Sequence, residues 1–322
     1  MDDTVSWLMS PDVPPVRYLT ARDLLGYDQP TLARMKLEIP TWPPLKSILD
    51  LQQPDGGFPN RTRTRTGGPT LAALGIMARC GLSLEDECVA RAFRYVESTR
   101  LHEGVFTVRG KGSGVLPCYA GMFTRLVGTL AGTSHPWFQA GLSWIVRYQR
   151  FDHKKSRGGG PGTWPYKSVI NYGGCWNSVS CFHGVGPTLR ALSLVPPAAR
   201  TREVGDRIAS ALNYLRIHRV YQKSGSDTPL FRNSTKLFLF GAYRSNLLDT
   251  VEGIAEAQPD VGSAPWVADA LRAIETAAHG GRVVSSRSYD SELIDPLPLE
   301  SPGESRFLTY QWLITRGKLG LS

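Results

Sequence analysis

Three cysteines and a histidine are the residues of this chain whose types and spacing suit chemistry: Cys118, Cys175, Cys181 and His218. Two of those cysteines fall in residues 162–184, GTWPYKSVINYGGCWNSVSCFHG. The same stretch holds His183, two tryptophans, three tyrosine or phenylalanine rings and a Gly-Gly turn. Such a density of Cys, Trp and Gly between two helical patterns points to a metal site or an active-site wall. Soft thiolates with one imidazole suit Zn²⁺, with iron as the alternative. His183 is the alternative to His218. Residues two apart on a helix point about 200° apart, so Cys181 and His183 share an ion only where the helix has not begun. Two plainer readings stand beside this one. Free cysteine packs as a small apolar residue, as expected of Cys80 and Cys88. A lone cysteine activated by His183 or His218 would instead be a nucleophile.

Other side chains are candidates for proton transfer or substrate binding. Tyr119 and Tyr243 are read as general acids or as packed rings, and Tyr166, with Trp164, as reaching over a cavity mouth. Asp249 sits one turn into an otherwise apolar segment, where burial would raise its pKa; solvation on a helix surface is the rival reading. Glu252, Glu292 and Asp295 are further acids. Arg17 and Arg306 together would clamp a carboxylate or phosphate by forked hydrogen bonds, or each would simply cover a neighbouring hairpin. No Ser/His/Asp order, phosphate loop or dinucleotide fingerprint appears. GKGSG at 110–114 reads as a turn.

The elements that must position these groups are helices. Amphipathic segments at 44–53, 87–100, 136–151, 204–221 and 265–278 carry apolar residues at three- and four-residue spacing. Each is followed by a shorter segment, richer in small residues and apolar around most of its circumference: 70–80, 117–130, 180–193, 245–257 and 306–316. Residues 16–26 read as a sixth such segment, preceded only by a stub around Trp7. A helix apolar on most sides is buried on most sides, so six pairs with buried short members predict a closed ring of hairpins. The expected fold is all-α, a single α/α toroid over residues 1–322, with an open solenoid as the other arrangement. First turns of the inner helices would then gather at one mouth. That arrangement brings Cys118, Cys175, Cys181 and His218 together with Arg17, Tyr18, Thr66, Thr70, Tyr119, Tyr243, Ser245, Asn246 and Arg306.

LDLQQPDGGFPN at 49–60 resembles the Q-x-x-D-G-G-F/W turn of the prenyltransferase and squalene-cyclase repeat. Tyr148-Gln149 with GGGPGTWPY at 158–166 is a second, stretched copy. In physical terms, glutamine bonds nearby backbone, glycines permit the turn, and the ring plugs the gap between hairpins. VRYLTARDLLG, LPCYAG, CWNSVSCFHG and LRIHRVYQKS make the chain similar to short bacterial single-domain squalene-cyclase-like proteins. The resemblance covers nearly the whole chain and implies the terpenoid cyclase and protein prenyltransferase-like toroid. It brings neither the D-x-D-D acid of class II terpene cyclases nor the Asp-x-Cys zinc pair of protein prenyltransferases. Cys181-Phe182-His183-Gly184 is similar to the Cys-His-Gly run of lanthipeptide cyclases, with a phenylalanine inserted.

At 322 residues and 41% apolar, the chain can bury a large core. No segment approaches the roughly 18 apolar residues of a membrane span. The acidic, proline-broken start MDDTVSWLMSPDVPP does not read as a signal peptide, so the expected location is the cytoplasm. Five cysteines argue against a disulfide framework. The net charge of +9 is scattered, with clusters at 61–65 and 153–157 that read as solvated loops, so no nucleic-acid partner is expected. The function expected is a zinc-dependent enzyme, cyclase-, transferase- or lyase-like, acting on a hydrophobic or isoprenoid-like molecule in an aromatic-lined cavity, with an anionic group on that substrate as an option. The alternative is a non-catalytic toroid that binds a lipid or peptide, with a structural metal or none.

Overall fold

In this computed structural model the described residues are 3–59, 67–152, 180–231, 233–239, 246–286 and 298–321. They are mostly helical, in the order α1 (Asp3–Leu8), α2 (Pro14–Asp23), α3 (Gln29–Lys36), α4 (Pro43–Leu49), α5 (Gly68–Arg79), α6 (Glu87–Thr99), α7 (Pro117–Ala131), α8 (Pro136–Tyr148), α9 (Phe182–Ser193), α10 (Arg202–Ile217), α11 (Leu247–Ala257), α12 (Pro265–Thr276) and α13 (Arg306–Lys318). The short segments expected to be buried correspond to α2, α5, α7, α9, α11 and α13, within a few residues at each end. Short antiparallel strands decorate two connections. β1 (Leu101–His102) pairs with β2 (Val105–Phe106), and β3 (Ala278–His279) pairs with β4 (Arg282–Ser285), which pairs with β5 (Gly303–Glu304). No described helix is long and apolar enough to cross a membrane.

Two kinds of helix alternate, and composition explains both. In α6 the buried residues Val89, Ala92, Phe93 and Val96 form one stripe at helical spacing, with charges opposite. In α5, by contrast, Gly68 to Leu74, Ile76 and Met77 are all buried, so no face is left for solvent. Four of the small-residue helices pack on the amphipathic helix that follows them: α5 on α6, α7 on α8, α9 on α10 and α11 on α12. The small-residue helices also pack on one another, α7 on α5 and α9, α11 on α9 and α13, and α13 back on α2.

Two neighbouring pairs in that layer, α7 with α9 and α11 with α13, run parallel. A β-carbon added at Gly184 would stand 3.0 Å from Pro117, one at Gly121 would stand 2.8 Å from the Thr188 backbone, and one at Gly128 would stand 2.7 Å from Leu194. The register between α7 and α9 therefore rises along both helices. Likewise Gln311 of α13 bonds Asp249 of α11, and seven residues on Lys318 meets Glu256. Parallel neighbours require a returning helix between them, and α8 and α12 fill that role.

The Gln-Pro-Asp-Gly-Gly-Phe turn behaves as its chemistry demands. Gln52 Nε2 donates to the carbonyls of Gly56 (3.1 Å) and Cys88 (2.8 Å), tying the end of α4 to the start of α6. Gly56 has φ +90° and lies so close to the Arg91 carbonyl that a β-carbon would fall 2.3 Å from it. Phe58 is buried, and its N–H donates to Thr70 Oγ1 in the first turn of α5. In the second copy of the turn Gln149 is also buried, but residues 153–179 lie outside the described ones.

Candidate functional site

The small-residue helices line a half-open cavity of about 330 Å³. Its apolar wall comes from Leu19 on α2, Leu71 and Ala78 on α5, Met122 and Leu126 on α7, and Phe307 and Ile314 on α13. Phe307 and Tyr310 are the aromatic residues among the described lining, so the wall is mainly aliphatic rather than aromatic as expected. The remaining lining is charged or polar: Arg22, Arg79, Arg125, Arg190, Asp249, Glu252 and Gln311.

Helix geometry gathers these charges. Asp249, Glu252 and Glu256 lie at i, i+3 and i+7 of α11 and so share one face. Arg79 is the last residue of α5, Arg190 lies in the last turn of α9, and Arg22 lies in the last turn of α2. Each thereby opposes the partial negative charge at its own helix C-terminus. Arg79 contacts Asp249 at 2.7 Å, Arg190 contacts Glu252 at 2.7 Å, and Arg125 forks onto both oxygens of Glu256 at 2.6 and 2.8 Å. Lys318 adds a contact to Glu256 at 3.2 Å. Gln311 Nε2 donates to Asp249 (2.9 Å) and to Glu252 (2.8 Å). Beside them Arg22 binds Asp23 at 2.7 Å, and the Tyr310 hydroxyl donates to Asp23.

These contacts set protonation states. Burial would push the Asp249 carboxyl up, but the charges of Arg79 and Arg190 and the Gln311 amide hold it below the usual range. At Glu256 burial is likewise outweighed by Arg125 and Arg190, and the pKa falls to about 2. The Tyr310 hydroxyl is pushed up by burial and by its bond to Asp23. Asp249 and Glu256 are therefore held carboxylates near neutral pH. The raised pKa expected for Asp249 is corrected by the arginines that face it.

Asp249 is the candidate catalytic residue that the structure puts on the cavity. It also closes the N-terminus of α11, with Asn246 accepting from its N–H at 2.8 Å. Tyr119 is buried and stacks on Phe106 with centroids 5.9 Å apart, which fits the packing reading. Arg306 and Arg17 do not form the expected clamp. The Arg306 guanidinium lies over the Trp7 ring and contacts Asp12 at 3.3 Å, while Arg17 pairs with Glu38 at 2.5 Å. Neither lines the cavity. Tyr166, Tyr243 and Cys175 lie outside the described residues, as do Thr66, Trp164, Ser245, Glu292, Asp295 and both basic clusters.

The thiols and imidazoles form a separate corner, where α9 begins beside α7 and α10. Cys118 is buried in the first turn of α7, beside Gly184, and Cys181 is the N-cap residue of α9. Tyr214 feels the Cys181 thiol and lies 4.5 Å, ring to ring, from His218, which closes α10. His218 Nδ1 is 2.9 Å from the Gln222 carbonyl, and His183 stacks on Phe231 with centroids 4.9 Å apart. Among the described residues no group of three or more His, Cys, Asp or Glu is arranged to hold a metal ion. The described members of the zinc set therefore do not make a metal site by themselves.

Sequence reasoning passed over Arg79, Arg125, Arg190, Glu256 and Gln311. A usable signal existed: helices otherwise built of small and apolar residues each carry one arginine, and one carries three acids on a single face. Compared with models of known protein families and with curated protein sequences, the chain matches none.

Proposed function

We propose that the chain is a single α/α toroid whose central cavity takes a predominantly apolar, isoprenoid-like small molecule, and that the inner ion network fixes one end of that molecule. Parallel packing of α7 with α9 and of α11 with α13, the pairing of α5, α7, α9 and α11 with the helices that follow them, and the return of α13 onto α2 support the ring. The observation that carries the ligand reading is the cavity itself, where apolar side chains of α2, α5, α7 and α13 stand beside charged and polar ones contributed by the same helices and by α9 and α11. A wholly apolar hollow would accept any hydrophobic body. Fixed guanidinium–carboxylate pairs add orientation, because their mutual hydrogen bonds hold both partners in place. This arrangement binds and orients.

The experiment is calorimetric titration with geraniol, a monoterpene alcohol, beside an Ala78→Phe variant whose ring occupies the cavity. Saturable binding to the parent chain and its loss in a folded Ala78→Phe variant support the reading. Binding unchanged by that substitution, or none to either protein, overturns it.

A zinc-dependent enzyme is the second reading, with iron as the alternative metal. It is favoured by the closeness of Cys118, Cys181 and His218 to the junction of α7, α9 and α10. In the expected set Cys175 would complete the ligands, with His183 as the alternative imidazole. Metal content of untagged protein by plasma mass spectrometry, beside Cys181→Ser, tests it. About one zinc or iron per chain, lost in the variant, supports the site; metal-free folded protein removes it.

A further inference from the structure

Arg79 and Arg190 hold more hydrogen-bond donors than their own carboxylates take up. Both side chains line the cavity, and they keep 21% and 18% of their surface exposed. A guanidinium offers five N–H groups in one rigid plane. Among the described residues Arg79 donates through one nitrogen, to Asp249 at 2.7 Å, and Arg190 through one, to Glu252 at 2.7 Å. The other terminal nitrogen of Arg190 stands 3.6 Å from Asp249 Oδ1, the same oxygen that Arg79 contacts at 2.7 Å. Both guanidiniums therefore flank one atom and lie within the span of a single two-oxygen group.

The acid oxygens nearest these arginines have no such surplus. Asp249 Oδ1 also accepts from the Gln311 amide at 2.9 Å, and Glu252 Oε2 accepts from Arg190 and again from Gln311 at 2.8 Å. A ligand group placed here meets spare donors and must bring the lone pairs itself. Charge then selects among acceptors. The connected network has four cations, Arg79, Arg125, Arg190 and Lys318, and three carboxylates, Asp249, Glu252 and Glu256. Arg22 beside it is balanced by Asp23. One positive charge at most is left over, since the carbonyl ends of α5 and α9 return part of it. A carboxylate matches that surplus, a phosphate dianion exceeds it, and an alcohol leaves it unmet.

We propose that the cavity takes an apolar monocarboxylate, its body against the apolar lining and its two oxygens shared between Arg79 and Arg190. This rests on the cavity reading above and fixes the end group of that molecule.

The test is calorimetric titration of the parent chain, Arg79→Met and Ala78→Phe with three ligands of one isoprenoid body: geraniol, geranate and geranyl phosphate. It is run at about pH 8, where a phosphate monoester is a dianion. Hydrogen bonds to a charged group predict that geranate binds at least about tenfold tighter than geraniol, and it should also outbind the phosphate. In Arg79→Met the geranate advantage over geraniol should fall about tenfold. Geraniol binding as tightly as geranate, or the phosphate binding tightest, with all binding lost in Ala78→Phe, overturns the carboxylate and leaves the cavity reading standing. An unchanged geranate advantage in folded Arg79→Met does the same. Binding of none of the three, or binding untouched by Ala78→Phe, overturns both. The order of the three ligands on the parent chain decides the end group even where Arg79→Met does not fold.

Discussion

Replacing Arg125 by methionine removes the fork that holds Glu256 at 2.6 and 2.8 Å while keeping much of the buried stem. Taking one member from a buried pair costs about 3–5 kcal/mol. Here Lys318 at 3.2 Å and Arg190 at 3.9 Å still face the carboxylate, so the lower end, about 3 kcal/mol, is expected. The protonation of Glu256 gives a second route to the same size. Its pKa falls from the 4.5 of a solvated glutamate to about 2, and at about 1.36 kcal/mol per pH unit the site, with the cations outweighing burial, contributes about 3 kcal/mol net. The sign follows from the depressed pKa: this stability is complete above 4.5 and is lost as pH falls through about 2. The deficit of Arg125→Met should therefore be full near neutral pH and shrink below pH 4.5, as Glu256 is protonated and no longer needs its partner. Urea denaturation of both proteins across that range measures it. Arg125→Met with Glu256→Met should recover part of the loss, since no lone charge is left behind. A near-neutral deficit under about 0.5 kcal/mol, or one that does not change with pH, would refute the reasoning.

Other substitutions probe separate parts of the structure. Gly121→Ala sets a methyl 2.8 Å from the Thr188 backbone between α7 and α9 and should cost about 1–3 kcal/mol in the same denaturation assay. Asn246→Ala removes the oxygen that accepts from the Asp249 N–H, and should cost about 1 kcal/mol. Arg306→Ala should leave geraniol affinity within about twofold of the parent, because its guanidinium covers Trp7 rather than the cavity; a tenfold loss would place it at the ligand after all.

The helices were legible because their periodicity is. Residues 117–130 were expected and Pro117–Ala131 is found, since Pro117 starts the helix and the apolar run sustains it. The short helix Gln29–Lys36 was not anticipated. It buries just Leu32 and Met35, too few to set a period, and starts from Asp28, whose side chain accepts from the Thr31 N–H. The turn at Gln52–Phe58 was legible down to the hydrogen bonds of its glutamine. The hollow was harder to locate, because periodicity says which helices are inside but not which level is empty. The cavity seen among the described residues lies where α5 carries Gly75 and Ala78, and there the later-turn arginines reach the acids of α11. The protonation of Asp249 was out of reach for the same reason: its partners come from residues as distant in the chain as Arg79.

The seating of α13 on α2 has a consequence for the order in which the chain can fold. During synthesis α2 leaves the ribosome early, yet the groups that meet its end of the layer arrive nearly three hundred residues later: Arg306 for Asp12 and Tyr310 for Asp23. Until then Asp249 and Glu252 lack the Gln311 amide, and the apolar flank of α2 has no cover from Phe307. Hairpins such as α7–α8 can form locally as they emerge, but α2 gains its α13 neighbour only when that late helix docks. A contact of such long range slows the final step and leaves the nascent inner layer open to water until that step is made.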